Sequence, residues 1–271
     1  MRLSAWIATF VMALAGSDPT LARQPPHEIS AGAIAGPPSD WDLIDEGRDV
    51  TAYAAFNETP SFVIRCKRGA FDVLLLDLPP ATSESGTRIL EVGFDGETPV
   101  RTGWSIADPS TRALATVPAY LARRLRRGGM FHLIVPADGE APRQEYRLPL
   151  PASEHAIDAA LTACDLPLED PRDPLIERSW LAPEFLPQWS RLPQAQFPNQ
   201  AAQRGVKSGQ AHMSCFVQPD GRLRDCRVEN ERPHGAGFGA SVLQALRVAR
   251  LDKAPDDPDH MVFFTVRFRI R

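Results

Sequence analysis

Four cysteines, six histidines and a scatter of turn carboxylates are the side chains in this chain able to bond, titrate or pass a proton. Cys66, Cys164, Cys215 and Cys226 include no Cys-x-x-Cys spacing, and His212 alone stands near a cysteine pair, so a zinc site is not expected. The histidines form no catalytic pattern. His155 sits beside Glu154 and near Asp158, and His27 precedes Glu28, but no His-Glu-x-x-His helix motif results. No Gly-x-Ser-x-Gly elbow occurs. Asp95, Glu97, Asp108 and Asp138 stand in turns, where carboxylates usually cap backbone groups. An enzyme would be supported by a cleft in the N-terminal half gathering His132 or His155 with carboxylates. Without one, the expectation is a non-catalytic protein with no metal and no cofactor.

The cysteines are positioned by a hairpin. Ala211, Met213, Cys215 and Val217 alternate and share one face of a strand. Pro219-Asp220-Gly221 supplies a fixed φ, an Asx cap and a residue free to take positive φ. On the return strand Leu223, Cys226 and Val228 must point inward. The step from Leu223 to Cys226 is odd, which a period of two satisfies only through a β-bulge. With that bulge Cys215 lies opposite Cys226, and the remaining partners are Cys66 and Cys164.

A ββαβ unit completes this region. Phe238, Val242, Ala245, Leu246 and Ala249 recur at helical spacing and form one apolar stripe. Val262, Phe264, Val266, Phe268 and Ile270 then return to period two, with Phe263, Thr265, Arg267 and Arg269 on the opposite row. A three-stranded antiparallel sheet under one helix buries both stripes.

Residues 197–271 resemble a TonB C-terminal domain. The likeness rests on Phe197-Pro198 with Ala201 and Gly205, the turn Asp220-Gly221, the helix, and the strand Val266-Arg267-Phe268. The Cys215/Cys226 pair with Gly237-Phe238-Gly239 is similar to a variant found among secreted single-domain relatives. Two features depart from the pattern: an extra residue between Gly205 and Gly209, and Pro255-Asp256-Asp257-Pro258-Asp259 before the last strand. The resemblance implies that an extended segment of a cell-envelope protein or peptide is taken up by strand addition. The final strand is the expected recognition edge, with Phe263, Thr265, Arg267 and Arg269 as the partner-binding row; the alternative is that its arginines only protect the edge from aggregation.

Upstream, strands are expected at residues 61–65, 70–76, 87–94, 130–136 and 144–150, with helices at 119–127 and 153–164. This pattern predicts an α+β protein whose first domain, 41–170, is β-rich and sandwich-like with a closing helix. Cys66 before a strand, Phe94-Asp95-Gly96 with Trp104, and Ala156-Ile157 leading to Cys164 are faintly similar to small periplasmic domains of type VI secretion or invasion loci. Residues 171–196 read as a proline-bearing linker, yet Trp180 and Trp189 imply that it packs. The run Arg123-Arg124-Leu125-Arg126-Arg127 reads as a solvated helix face.

The N-terminus carries an export signal, residues 1–22, followed by a leader at 23–40. Its apolar run of 14 residues from Leu3 to Gly16 reaches about 21 Å as a helix, against roughly 30 Å of hydrocarbon. Periplasmic export is the expectation, and the alternative is an uncleaved, inner-membrane-anchored energy transducer in TonB-dependent transport. In an oxidising compartment four cysteines imply two disulfides. A net charge of −4, and arginines with no interleaved aromatic residues, argue against a nucleic-acid partner.

Overall fold

The computed structural model describes residues 40–56, 60–83, 85–152, 155–180 and 187–270. The signal and leader lie outside the described residues.

The first region opens with β1 (Asp42–Glu46), β2 (Asp49–Ala54), β3 (Ser61–Lys67) and β4 (Ala70–Leu76) as an antiparallel meander. β5 (Thr87–Phe94), β6 (Val100–Ala107) and β7 (Arg112–Ala115) fold as a second meander, and β7 returns beside β4. After α1 (Pro118–Leu125), β8 (Gly129–Val135) pairs with β5 and β9 (Gln144–Leu150) closes the order β1-β2-β3-β4-β7-β6-β5-β8-β9.

This nine-stranded sheet rolls onto itself. In a flat sheet β3 and β8 would lie five strand spacings, about 24 Å, apart. Instead the rings of Phe62 on β3 and Phe131 on β8 meet edge-on at 5.1 Å. Beyond the two ends of the sheet, Trp41 Nε1 donates to the Pro151 carbonyl at 3.0 Å. The expected sandwich-like packing is therefore achieved by one curled sheet and not by two separate ones. Leu121 and Leu125 of α1, with Ile157 and Leu161 of α2 (His155–Ala163), are fully buried in its core. A disulfide joins Cys66 on β3 to Cys164 just past α2, with Cα atoms 5.5 Å apart.

The arginine run is not a solvated face. Arg123 and Arg124 are buried. Arg123 grips Asp173, at the start of α3 (Asp173–Trp180), through Nε–Oδ2 at 2.6 Å and Nη2–Oδ1 at 2.7 Å. Arg124 pairs with Asp95 at 2.9 Å and Glu177 at 3.3 Å, and stacks over Phe94. Three arginines, counting Arg126 paired to Asp158, thus tie α1 to α2, to α3 and to the β5–β6 turn. Within the expected linker, α3 places Trp180 against Tyr120, ring centroids 5.8 Å apart. β10 (Trp189–Arg191) sets Trp189 edge-on to Phe264 at 5.1 Å.

The second region runs α4 (Asn199–Gln203), β11 (Ser208–Val217), β12 (Leu223–Arg232), α5 (Phe238–Leu246), β13 (Arg250–Leu251) and β14 (Met261–Arg269). Its three-stranded sheet has the order β12-β11-β14, and β13 pairs with β10. Ala211, Met213, Cys215 and Val217 share a core with Phe238, Val242 and Leu246 of α5. The expected bulge is present: Ser214 pairs with Arg227 and Phe216 with Arg224, so Cys215 faces both Asp225 and Cys226. Asp225 takes the left-handed φ of 49° there, and Cys215 bonds Cys226. Ile270, assigned by periodicity to the inward stripe, falls past the end of β14 and is 47 % exposed.

β11 is buried on both faces. One face meets α5. The other lies against the first region, where Phe216 and Met261 join the core of the rolled sheet.

Candidate functional site

β14 is an edge strand, and among the described residues most of the backbone groups on its outer side have no partner. Its Met261 N–H donates to Ser179 Oγ on α3 at 2.9 Å, so it points away from β11. The Ile270 N–H donates to the Lys207 carbonyl, on the β11 side. Direction alternates along an antiparallel strand. The N–H and C=O groups of Phe263, Thr265, Arg267 and Arg269 therefore face outward.

A cleft of about 460 Å³ runs beside the first half of this edge. Met261, Phe263, Phe264 and Thr265 form one side, and Ile89, Arg101, Thr102 and Gly103 of β5 and β6 form the other. Ile89 presents 40 % of its surface to solvent, an apolar group on the outer face of the rolled sheet. Ser179 and Trp180 of α3 also line the cleft.

The side chains of the expected recognition row have other partners. Phe263 packs against the core of the rolled sheet. Thr265 Oγ1 lies 2.8 Å from His212 Nδ1, and Arg267 donates to the Thr87 hydroxyl. Arg269 is exposed. The row thus faces the first region, and what β14 leaves open is mainly backbone.

Behind the edge lies a polar seam between the two sheets. His212 Nε2 is 3.0 Å from Ser105 Oγ, which also accepts from Gln210 Nε2 at 2.9 Å. Ser105 and His212 are 3 % and 4 % exposed. Burial, reinforced by Arg232 and Arg267, lowers the His212 pKa to about 4. A neutral imidazole offers one donor and one acceptor, which the two flanking hydroxyls complement. The pair has the spacing of a nucleophile and its base, but its chemistry is different. Ser105 is closed off by Gln210 and does not line the cleft, and the third partner is a threonine hydroxyl, where a carboxylate would be needed to stabilise an imidazolium.

A second cluster surrounds Glu229, the extra residue in another β12 bulge between Val228 and Asn230. The Ser214 hydroxyl donates to its carboxyl and accepts from Arg172 Nη2 at 2.9 Å. Burial raises the Glu229 pKa against the opposing pull of Ser214 and Arg172. Arg172 is itself buried beside Phe216, and its Nε and Nη1 find no partner among the described residues. Further ion pairs cross the seam, Arg232–Asp72 at 2.5 Å and Arg227–Asp170 at 2.9 Å.

The remaining candidates stay apart from this cleft. His132 meets a single carboxylate, Glu145, at 2.8 Å, and His155 is exposed at the start of α2. Asp95 accepts from the Met130 N–H, and Asp138 from the Thr82 N–H, each at 2.9 Å, so both act as backbone caps. Among the described residues no cluster of His, Cys, Asp and Glu is arranged to hold a metal ion, and no helix is long and apolar enough to cross a membrane. No protein-family model and no curated protein matches the chain.

Proposed function

We propose that this chain is an exported, non-catalytic binding protein of the cell envelope that takes up an extended peptide segment by strand addition to β14. The outward backbone groups of Phe263 and Thr265 beside the cleft, with those of Arg267 and Arg269 further along the same edge, carry the reading. Two disulfides support an oxidising compartment such as the periplasm. The ββαβ order with its last strand at the sheet edge agrees with what the TonB C-terminal resemblance implies. On this reading the rolled sheet serves as a clamp. It covers the polar face of the second sheet and supplies the far wall of the cleft. Export further implies that protein recovered from the periplasm has lost residues 1–22, which intact mass measurement would show.

Two substitutions at one position test the mode of binding. Peptides selected from a displayed library against the whole protein provide the probe. Thr265→Val keeps the backbone N–H and loses only the hydroxyl. Thr265→Pro loses the hydroxyl and the outward N–H together, and proline is tolerated on an outer edge. Thr265→Pro should weaken the peptides about tenfold relative to Thr265→Val, through a lost backbone bond and a crowded edge. Equal affinities in the two folded variants would contradict strand addition.

A further inference from the structure

At the far end of the same sheet is a cleft with a different character. β12 ends at Arg232, paired with Gln210, whereas β14 continues two residues further, until Arg269 pairs with Ser208. The sheet is therefore two strands wide at this end, and a cavity of about 830 Å³ opens there against Ser85 and Gly86 of the first region. Lys207, Arg232, Arg267 and Arg269 line it, and among the described residues no carboxylate does. Arg232 is ion-paired, to Asp72, while Lys207 and Arg269 have no ion pair among the described residues.

This concentration of charge does not follow from composition, since the chain carries a net charge of −4. With Arg232 already paired to Asp72, Lys207, Arg267 and Arg269 place three like charges around one concavity; they repel one another, and the repulsion is relieved when an anion enters. Two arginine forks, Arg267 and Arg269, with a lysine suit an oxyanion that can accept several hydrogen bonds at once. A single carboxylate offers one negative charge, whereas a phosphate monoester carries close to two at neutral pH. The Gln210 amide and the Ser85 hydroxyl add neutral polar groups to the lining. We propose that this cleft binds a phosphate-bearing ligand, either a free phosphate compound or the phosphate of a lipid headgroup. The site shares Arg267 and Arg269 with the β14 edge but takes a ligand of different chemistry, and so goes beyond the proposed function.

Inorganic pyrophosphate is the first probe, titrated calorimetrically into the full chain at low ionic strength. It should bind, and more weakly as sodium chloride is added. Lys207→Ala combined with Arg269→Ala should weaken it by about tenfold or more. Both side chains are exposed, so the fold is not at risk. Thr265→Pro should leave this affinity unchanged even though it weakens peptide capture, which separates the two binding events. Sedimentation with phosphatidylcholine vesicles containing phosphatidic acid, but not with phosphatidylcholine alone, would assign the phosphate to a membrane. Pyrophosphate binding without vesicle binding would assign it to a soluble compound. The proposal is overturned if neither probe binds, if the double variant binds both as well as the parent chain does, or if an oligoglutamate peptide occupies the cleft while neither phosphate probe does.

Discussion

His212 gives the seam a pH dependence with a definite sign. Its pKa falls from an ordinary 6.5 to about 4, through burial first and then Arg232 and Arg267. Ser105, Gln210 and Thr265 are its hydrogen-bonding neighbours. Below pH 6.5 the unfolded chain takes up a proton that the folded chain refuses, so stability falls from pH 6.5 towards 4, by roughly 3 kcal/mol in all. Glu229 works in the opposite direction. Its raised pKa costs stability as pH climbs above the ordinary glutamate value. Asp95, held below the usual range first by Arg124, loses its contribution only at lower pH, below the ordinary aspartate value. Urea midpoints from pH 4 to 7 should therefore show an acid loss that His212→Asn largely removes. An identical slope in the variant would exclude His212 as its source. Gly209 is a second sensitive residue, because a Cβ there would run into the Phe238 ring, which is fully buried. Gly209→Ala should lower stability by about 1–3 kcal/mol in urea unfolding, the ordinary cost of overpacking a core. Neither role could be read in the sequence. His212 had no partner nearby in the chain, and Ser105 lies 107 residues away.

Among the elements, local pattern determined what was legible. The β11–β12 hairpin, its bulge and its disulfide followed from one odd spacing between Leu223 and Cys226, because period two is a rigid constraint. α5 and β14 followed from long, regular stripes. β1, β2, β6 and β7 escaped notice. β2 buries two alanines and a valine, and β6 contains Gly103 and Ser105, so neither has a strong apolar alternation. α3 was hidden in a proline-bearing segment, and its partner charges on α1 were read as solvated because ion pairing across about 50 residues leaves no local mark. That network makes a prediction. Arg123→Ala leaves Asp173 buried without its partner and should cost about 3–5 kcal/mol, whereas Arg123→Met with Asp173→Leu should cost much less. A double-mutant cycle by chemical denaturation checks both. Disulfide removal is graded in the same way. Replacing Cys215 and Cys226 by alanine should cost about 3 kcal/mol, and Cys66 with Cys164 nearly 5 kcal/mol, because the second loop is far longer at 98 residues against 11. Equal losses would show that loop entropy is not what the bridges contribute.

For the whole molecule, the division into domains at 41–170 and 197–271 carries no sign of how their residues pack together, and the described residues fall within one compact unit. Alternation in β11 marks one apolar face. The opposite row of Gln210, His212 and Ser214 has the look of a solvated face, yet it is covered by the rolled sheet. Phe263, Thr265 and Arg267, expected to present their side chains to a partner, turn those side chains to the seam while their backbone groups face outward. Periodicity reports which residues share a face, and it cannot report what lies against that face. The proposed strand addition rests on the outward backbone groups of β14. Amide hydrogen exchange, with and without a selected peptide, tests that mode most directly. The N–H groups of Val262, Phe264, Val266 and Phe268 point towards β11 and should be protected in both states. Those of Phe263, Thr265, Arg267 and Arg269 should exchange quickly in the free protein and slow markedly when peptide is bound. Protection of these four in the free protein, or fast exchange that persists at saturating peptide, would contradict strand addition at this edge.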